Sequence, residues 1–157
     1  MAAAPKFRID VDIHNLLMNS ASAPVALPEP KVGLAAGAGG MQRLSRMIPL
    51  KKAMGMMLTG RHVSAKEGHE LGFVTDVVPH AELMTAAKRW ANDILACSPM
   101  SVRATKQVVM RSLDVPSLEV AMHNLHYPAF VAMTKSEDTV EGPRAFAEKR
   151  KPEWKGR

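Results

Sequence analysis

Leu27-Pro28-Glu29-Pro30-Lys31-Val32-Gly33-Leu34-Ala35-Ala36-Gly37-Ala38-Gly39-Gly40-Met41-Gln42-Arg43-Leu44 is the stretch on which this chain turns, and it holds four of the ten glycines. One carboxylate, Glu29, sits between two prolines just ahead of a glycine-rich turn. The prolines fix the backbone and limit where the carboxylate points. A carboxylate beside Leu27, Val32 and Leu34 is a candidate general acid or base, since apolar surroundings disfavour its charged form. A plain solvated loop carboxylate is the competing reading. The glycines let backbone approach a ligand closely. A helix starting at Gln42 would aim free N–H groups over the turn, which suits an anion or a polarised oxygen. The spacing is neither the dinucleotide fingerprint nor a P-loop, since no Gly-Lys-Ser/Thr follows.

Around this stretch the chain reads as globular. It has 157 residues, 46% hydrophobic and 23% charged, enough for one domain with a real core. No apolar run reaches the about 18 residues of a membrane span. Asp10 and Asp12 interrupt the first twenty residues, so neither a secretory signal nor a transit peptide is expected. The single cysteine, Cys97, excludes an internal disulfide framework and suits a reducing, cytoplasmic setting. The net charge of +6 favours anionic partners. Nucleic acid is not expected: aromatics are only 4% of residues, too few for base-stacking platforms.

Taken in order, Phe7 to Ile13 alternates like a short strand, and residues 31–35 read as a buried strand entering the glycine turn. Gln42 to Met47 reads as one or two helical turns. A helix over 50–58, with Leu50, Ala53, Met54, Met57 and Leu58 on one face, follows Pro49 and ends at Gly60. Ser64-Ala65-Lys66-Glu67 is a capping box for a short helix closed by Gly72, and Phe73 to Val78 is a β-branched run read as a strand. Thereafter the pattern is helical: 81–97, then Ser98-Pro99 to about Leu113, then a face of Leu118, Ala121, Met122 and Leu125 interrupted by Pro128, and last Ser136 to Arg150. So few strands leave several apolar helix faces uncovered, which implies packing on another subunit.

The histidines (His14, His62, His69, His80, His123, His126) lack metal-ligand spacing. Cys97 falls on the apolar side of the 81–97 pattern and reads as buried packing, and the methionines read mainly as core. No Gly-x-Ser-x-Gly elbow occurs.

Together, Leu27 to Leu34 and Gly37-Ala-Gly-Gly-Met-Gln-Arg-Leu44 resemble the central motif of the crotonase family, the enoyl-CoA hydratases and isomerases. The resemblance continues through Ala53 to Arg61, Ser64-Ala65 to Val74, Val77-Val78-Pro79, Ser98-Pro99 to Lys106, and Ser136-Glu137-Asp138 to Gly142. It ends in Ala145-Phe146-Ala147-Glu148-Lys149-Arg150-Lys151-Pro152 with Trp154 to Arg157, covering about residues 25–157. It implies an α/β fold: a partial crotonase-like ββα spiral with few strands, followed by a C-terminal α-helical oligomerisation region. Residues 1–24 stay unassigned, 25–79 form the partial core and 80–157 the helical region. In the family two backbone N–H groups hold the thioester oxygen and stabilise an enolate, and two glutamates handle water and the α-proton.

By that resemblance Glu29 matches the second catalytic glutamate. Gly37, Gly39 and Gly40 match the substrate-binding turn, Phe130 a residue lining the acyl pocket, and Phe146 and Lys149 positions that approach the CoA adenine and phosphate. The upstream half of a domain of roughly 250 residues finds no match. That half supplies both oxyanion donors and the first glutamate, and loss of one such donor costs about 10²–10³ in rate. Ala36 stands where many members have proline. The resemblance thus implies the C-terminal half of a crotonase. Its expected function is acyl-CoA processing as an enoyl-CoA hydratase/isomerase. The alternatives are a non-catalytic module that binds CoA esters or assembles oligomers, and a truncation with no function of its own. No metal or separate cofactor is implied, CoA being part of the substrate. The implied partners are an acyl-CoA and further copies in a trimer or hexamer, or a full-length relative in a mixed oligomer.

Overall fold

The structure, a computed structural model, describes residues 18–157. Within them one unit ends at Arg89 and the other runs from Trp90 to Arg157. The alternation at Phe7 to Ile13 lies outside the described residues.

The first unit is held by a short parallel strand pair. β1 (Met18–Ser20) runs beside β2 (Asp76–Val78), Asn19 opposite Val77. The Ala21 N–H extends the ladder to Val78 O at 3.0 Å, and Val25 and Val63 exchange both backbone hydrogen bonds at 2.8 Å. Between the strands come α1 (Gly40–Met47), α2 (Leu50–Thr59) and α3 (Ala65–Leu71). Ile48, Ala53, Met56, Val63, Phe73 and Val74 form the buried core, with Val25, Leu44, Met57, Leu71 and Val77 packed against it.

The helix ends follow from local chemistry. Gly60 and Gly72 take left-handed backbone, where no Cβ clashes. Ser64 Oγ accepts the Glu67 N–H at 3.1 Å. The capping box is only half formed, because the Glu67 carboxylate turns to Arg61 instead, at 2.6 and 3.0 Å. That hydrogen-bonded guanidinium holds the Glu67 carboxyl below its usual range.

Three expectations change here. Residues 31–35 are not a buried strand: Glu29–Val32 is a single 3₁₀ turn, and Val32 and Leu34 are 73% and 66% exposed. Pro28 and Pro30 supply no N–H for a ladder, while the Lys31 and Leu34 N–H groups turn back to Pro28 O and Glu29 O at 2.9 and 3.0 Å. The strand expected over Phe73 to Val78 is confined to Asp76–Val78, because the Phe73 and Val74 N–H groups both bond Gly68 O. The apolar face of α2 turns inward only in part: Ala53 and Met56 are buried, whereas Leu50, Met54 and Leu58 face out.

A 3₁₀ turn at His80–Glu82 leads into α4 (Leu83–Leu95), which carries the boundary between the units. Cys97 is exposed, not buried, because α4 ends two residues before it and takes it off the apolar face. The second unit holds α5 (Pro99–Ser112), α6 (Leu118–His123), α7 (Pro128–Thr134) and α8 (Glu137–Ala147). Ser98 Oγ caps α5 through the Ser101 N–H, with proline at the first helical position. α6 stops at His123, before Leu125 of the expected face and well ahead of Pro128, which opens α7. There Gln107 Oε1 takes the Ala129 N–H at 2.8 Å and fixes α7 on α5. The fold among the described residues is therefore the few-stranded partial spiral followed by helices. No described helix is long and apolar enough to cross a membrane.

Candidate functional site

Glu29 opens the 3₁₀ turn, and Gly33 closes it in left-handed backbone with its N–H on Pro30 O at 3.3 Å. The Glu29 side chain is only half-buried, yet its Oε2 is fully covered and has no hydrogen-bond partner among the described residues. A covered, unsatisfied carboxylate oxygen costs on the order of 1–3 kcal/mol, and such groups are kept where a ligand or a proton transfer uses them. α2 ends against this turn: a Cβ on Gly60 would come within 3.2 Å of Pro28 Cα and Lys31 Cγ.

The glycine turn lies in the same unit and is joined to the Glu29 segment through Leu27. A Cβ on Gly40 would come 3.0 Å from Leu27 Cδ2 and 3.1 Å from the Ala36 Cβ. Gly39 precedes α1 with φ +94°, a conformation that side chains resist. Gly37 carries neither constraint; a Cβ there would make an ordinary 3.7 Å contact. α1 starts at Gly40, two residues earlier than the sequence pattern suggests. Arg43 braces the turn: its Nη1 donates to Ala38 O at 3.3 Å, and its guanidinium lies where a Gly39 side chain would be. Sequence reasoning missed Arg43, whose only signal was a cation four residues past the glycine.

The remaining expected site residues lie in the second unit. Phe130 is half-buried on α7. Phe146, near the end of α8, is 87% exposed. Lys149 follows that helix in left-handed backbone, φ +52°. Its N–H bonds Phe146 O at 3.2 Å, and the Arg150 N–H bonds Ala145 O at 3.0 Å, the helix stop that normally recruits glycine. The structure thus gathers Glu29, Gly37, Gly39 and Gly40 in one unit and Phe130, Phe146 and Lys149 in the other.

Next to Lys149, Arg150 is locked in ion pairs. Arg150 grips both oxygens of Glu141, at 2.6 and 2.9 Å, and reaches Glu148 Oε2 at 2.6 Å. Glu141 also takes the Glu153 N–H at 2.8 Å. These donors, Arg150 first, bring the Glu141 carboxyl down to about 2. The chain then folds back over α8. Trp154 Nε1 donates to Ala96 O at 2.8 Å, and buried Asp138 accepts the Lys155 and Gly156 N–H groups at 2.7 and 3.1 Å. Among the described residues no cluster of three or more His, Cys, Asp or Glu can hold a metal ion.

The enoyl-CoA hydratase/isomerase family model matches residues 10–157. Carnitinyl-CoA dehydratase of Salmonella typhi is 38% identical over 141 residues, spanning 87% of this chain and 53% of that protein. Enoyl-CoA hydratase from Mycobacterium tuberculosis H37Rv superposes with a TM-score of 0.84 at 35% identity, over 90% of this chain and 56% of its own. The enoyl-CoA hydratase of Bacillus anthracis gives 0.84 at 34% identity, over 91% and 55%. The chain spans about half the length of these relatives. Likeness in both sequence and backbone over nearly all of this chain places it in the enoyl-CoA hydratase/isomerase, or crotonase, family.

Proposed function

We propose that this chain acts on acyl-CoA thioesters, with Glu29 transferring a proton in water addition to, or isomerisation of, an enoyl-CoA. The covered, unpartnered Oε2 of Glu29 carries this reading: a proton-transferring carboxylate keeps a lone pair aimed at substrate instead of at its own fold. The Gly39–Gly40 turn supports it, as a close-packed wall beside the Leu27–Glu29 segment. The related proteins named above share a CoA thioester in their names. Hydration and isomerisation are redox-neutral, so no electron-carrying cofactor is called for. Phe130 would line the acyl end, and exposed Phe146 and Lys149 would meet the adenine and a phosphate of CoA.

A second reading, a CoA-ester-binding or assembly module without turnover, is favoured by the chain spanning about half of its relatives. Either reading calls for association in a trimer, a hexamer or a mixed oligomer. Leu50 and Leu58 of α2 and Leu118 and Met122 of α6 are exposed apolar side chains, and such surface promotes assembly. Light scattering tests this, and a monodisperse monomer contradicts it. Hydration of a short enoyl-CoA, compared with the Glu29→Gln variant, tests the catalytic reading: turnover lost in the variant supports it, and unchanged turnover sinks the role of Glu29.

A further inference from the structure

Lys149 stands where a helix of this kind normally ends in glycine, and among positive-φ residues in the described structure it alone is not glycine. A side chain in left-handed backbone is strained, so the surrounding structure must hold it there, and strain of this kind clusters at ligand clamps. The holding is visible. Arg150, the next residue, is gripped by both Glu141 oxygens and by Glu148, and its Nη1 also reaches Lys151 O at 3.1 Å. Glu141 lies on α8, one side of Lys149, and it takes the Glu153 N–H on the other side. The backbone is thereby pinned before and after Lys149. Arg144, Arg150, Lys155 and Arg157 are each in an ion pair. Lys149 and Lys151 have none among the described residues, both are exposed, and of the two only Lys149 is in left-handed backbone.

We propose that Glu141 is a positioning residue, which through Arg150 fixes Lys149 so that its ammonium meets a phosphate of a CoA-type ligand. This rests on the functional reading above and adds a residue to it. Because Glu141 touches no ligand in this scheme, its effect must run through Lys149 and must vanish when Lys149 or the phosphate is removed.

The test is a calorimetric titration of the full chain with coenzyme A and with pantetheine, which lacks the phosphates. Glu141→Gln, Lys149→Ala and the double variant are titrated alongside, each checked for folding by circular dichroism. We expect Glu141→Gln to weaken coenzyme A binding by about fivefold to tenfold, the scale of one charge-assisted hydrogen bond. Pantetheine binding should be unaltered, and in the Lys149→Ala background Glu141→Gln should cost nothing further. Glu141→Asp, which keeps the charge but shortens the reach to Arg150, should fall between and serves if Glu141→Gln fails to fold. Equal losses with and without Lys149, or no loss at all, overturn the positioning role alone. Failure of the unaltered chain to bind coenzyme A overturns the functional reading, and this inference with it.

Discussion

Ser98 Oγ donates to Asp138 Oδ2 at 2.7 Å, joining the cap of α5 to the first turn of α8 across 40 residues of sequence. Both side chains are buried. The same carboxylate takes the Lys155 and Gly156 N–H groups, so one acid ties two helix starts to the returning tail. Asp138→Ala leaves a buried hydroxyl and two backbone donors unsatisfied. The expected loss is about 2–4 kcal/mol, read as a lower midpoint in urea unfolding. An unchanged midpoint would show that the tail contributes nothing to the second unit.

The glycine turn separates into constrained and unconstrained positions. Gly39→Ala forces a side chain to φ +94° and into the Arg43 guanidinium, for an expected cost of about 1–2 kcal/mol. Gly40→Ala presses on Leu27 and Ala36, with an expected cost of about 1 kcal/mol as those neighbours shift. Gly37→Ala should stay within about 0.5 kcal/mol of the unaltered chain. Thermal melts of the three variants check the order, and a Gly37 variant as damaged as the other two would contradict the geometry.

Lys149→Gly should move stability and binding in opposite directions. Glycine relieves the left-handed strain and should raise stability by about 1 kcal/mol, seen as a higher melting temperature. The same change removes the ammonium and should weaken coenzyme A binding. A variant that is less stable would mean that the Lys149 side chain makes packing contacts of its own.

The Glu141–Arg150 pair gives stability a defined acid limb. With its folded-state pKa brought down to about 2, Glu141 binds its proton later than it would in the unfolded chain, whose value is about 4.3. Its contribution is fully present above that unfolded value and is lost as pH falls through the folded one. The stability gap between the unaltered chain and Glu141→Gln should therefore be constant near neutrality and narrow between about pH 4.5 and pH 2. A gap that persists undiminished at pH 2 would show that the ion pair is not its source.

What was legible in the sequence was local. Ser64, Gly60, Gly72 and the Ser98-Pro99 start act within one helical turn, and each appears where the pattern puts it. Leu27 to Leu44 pointed to the family because motif residues keep their spacing even where the secondary structure read from them is wrong. The apolar residues at 32 and 34 suggested a strand; the glycine between them, which takes left-handed backbone and closes a turn, should have outweighed them. Cys97 was misplaced by two residues of helix end, enough to turn it from core to solvent. The contacts made by Arg43, Asp138 and the Glu141–Arg150 clamp were not legible, although the residues themselves fall in the motifs. Their partners lie several to dozens of residues away, and no periodicity links a carboxylate to a backbone N–H that far along the chain.

The most direct test of Glu29 chemistry is the rate at which the purified chain consumes a short 2-enoyl-CoA, followed by loss of the conjugated thioester absorbance. The folded chain should turn the substrate over, with the thioester oxygen held by N–H groups of the Gly37–Gly40 turn or of a partner copy in place of the unmatched upstream donors. Glu29→Gln, which keeps the shape but cannot exchange the proton, should lower kcat by about 10²–10⁴ while coenzyme A binding survives. Equal rates in the two proteins, or no turnover from folded chain that binds coenzyme A, would contradict the catalytic assignment and leave the binding module as the function.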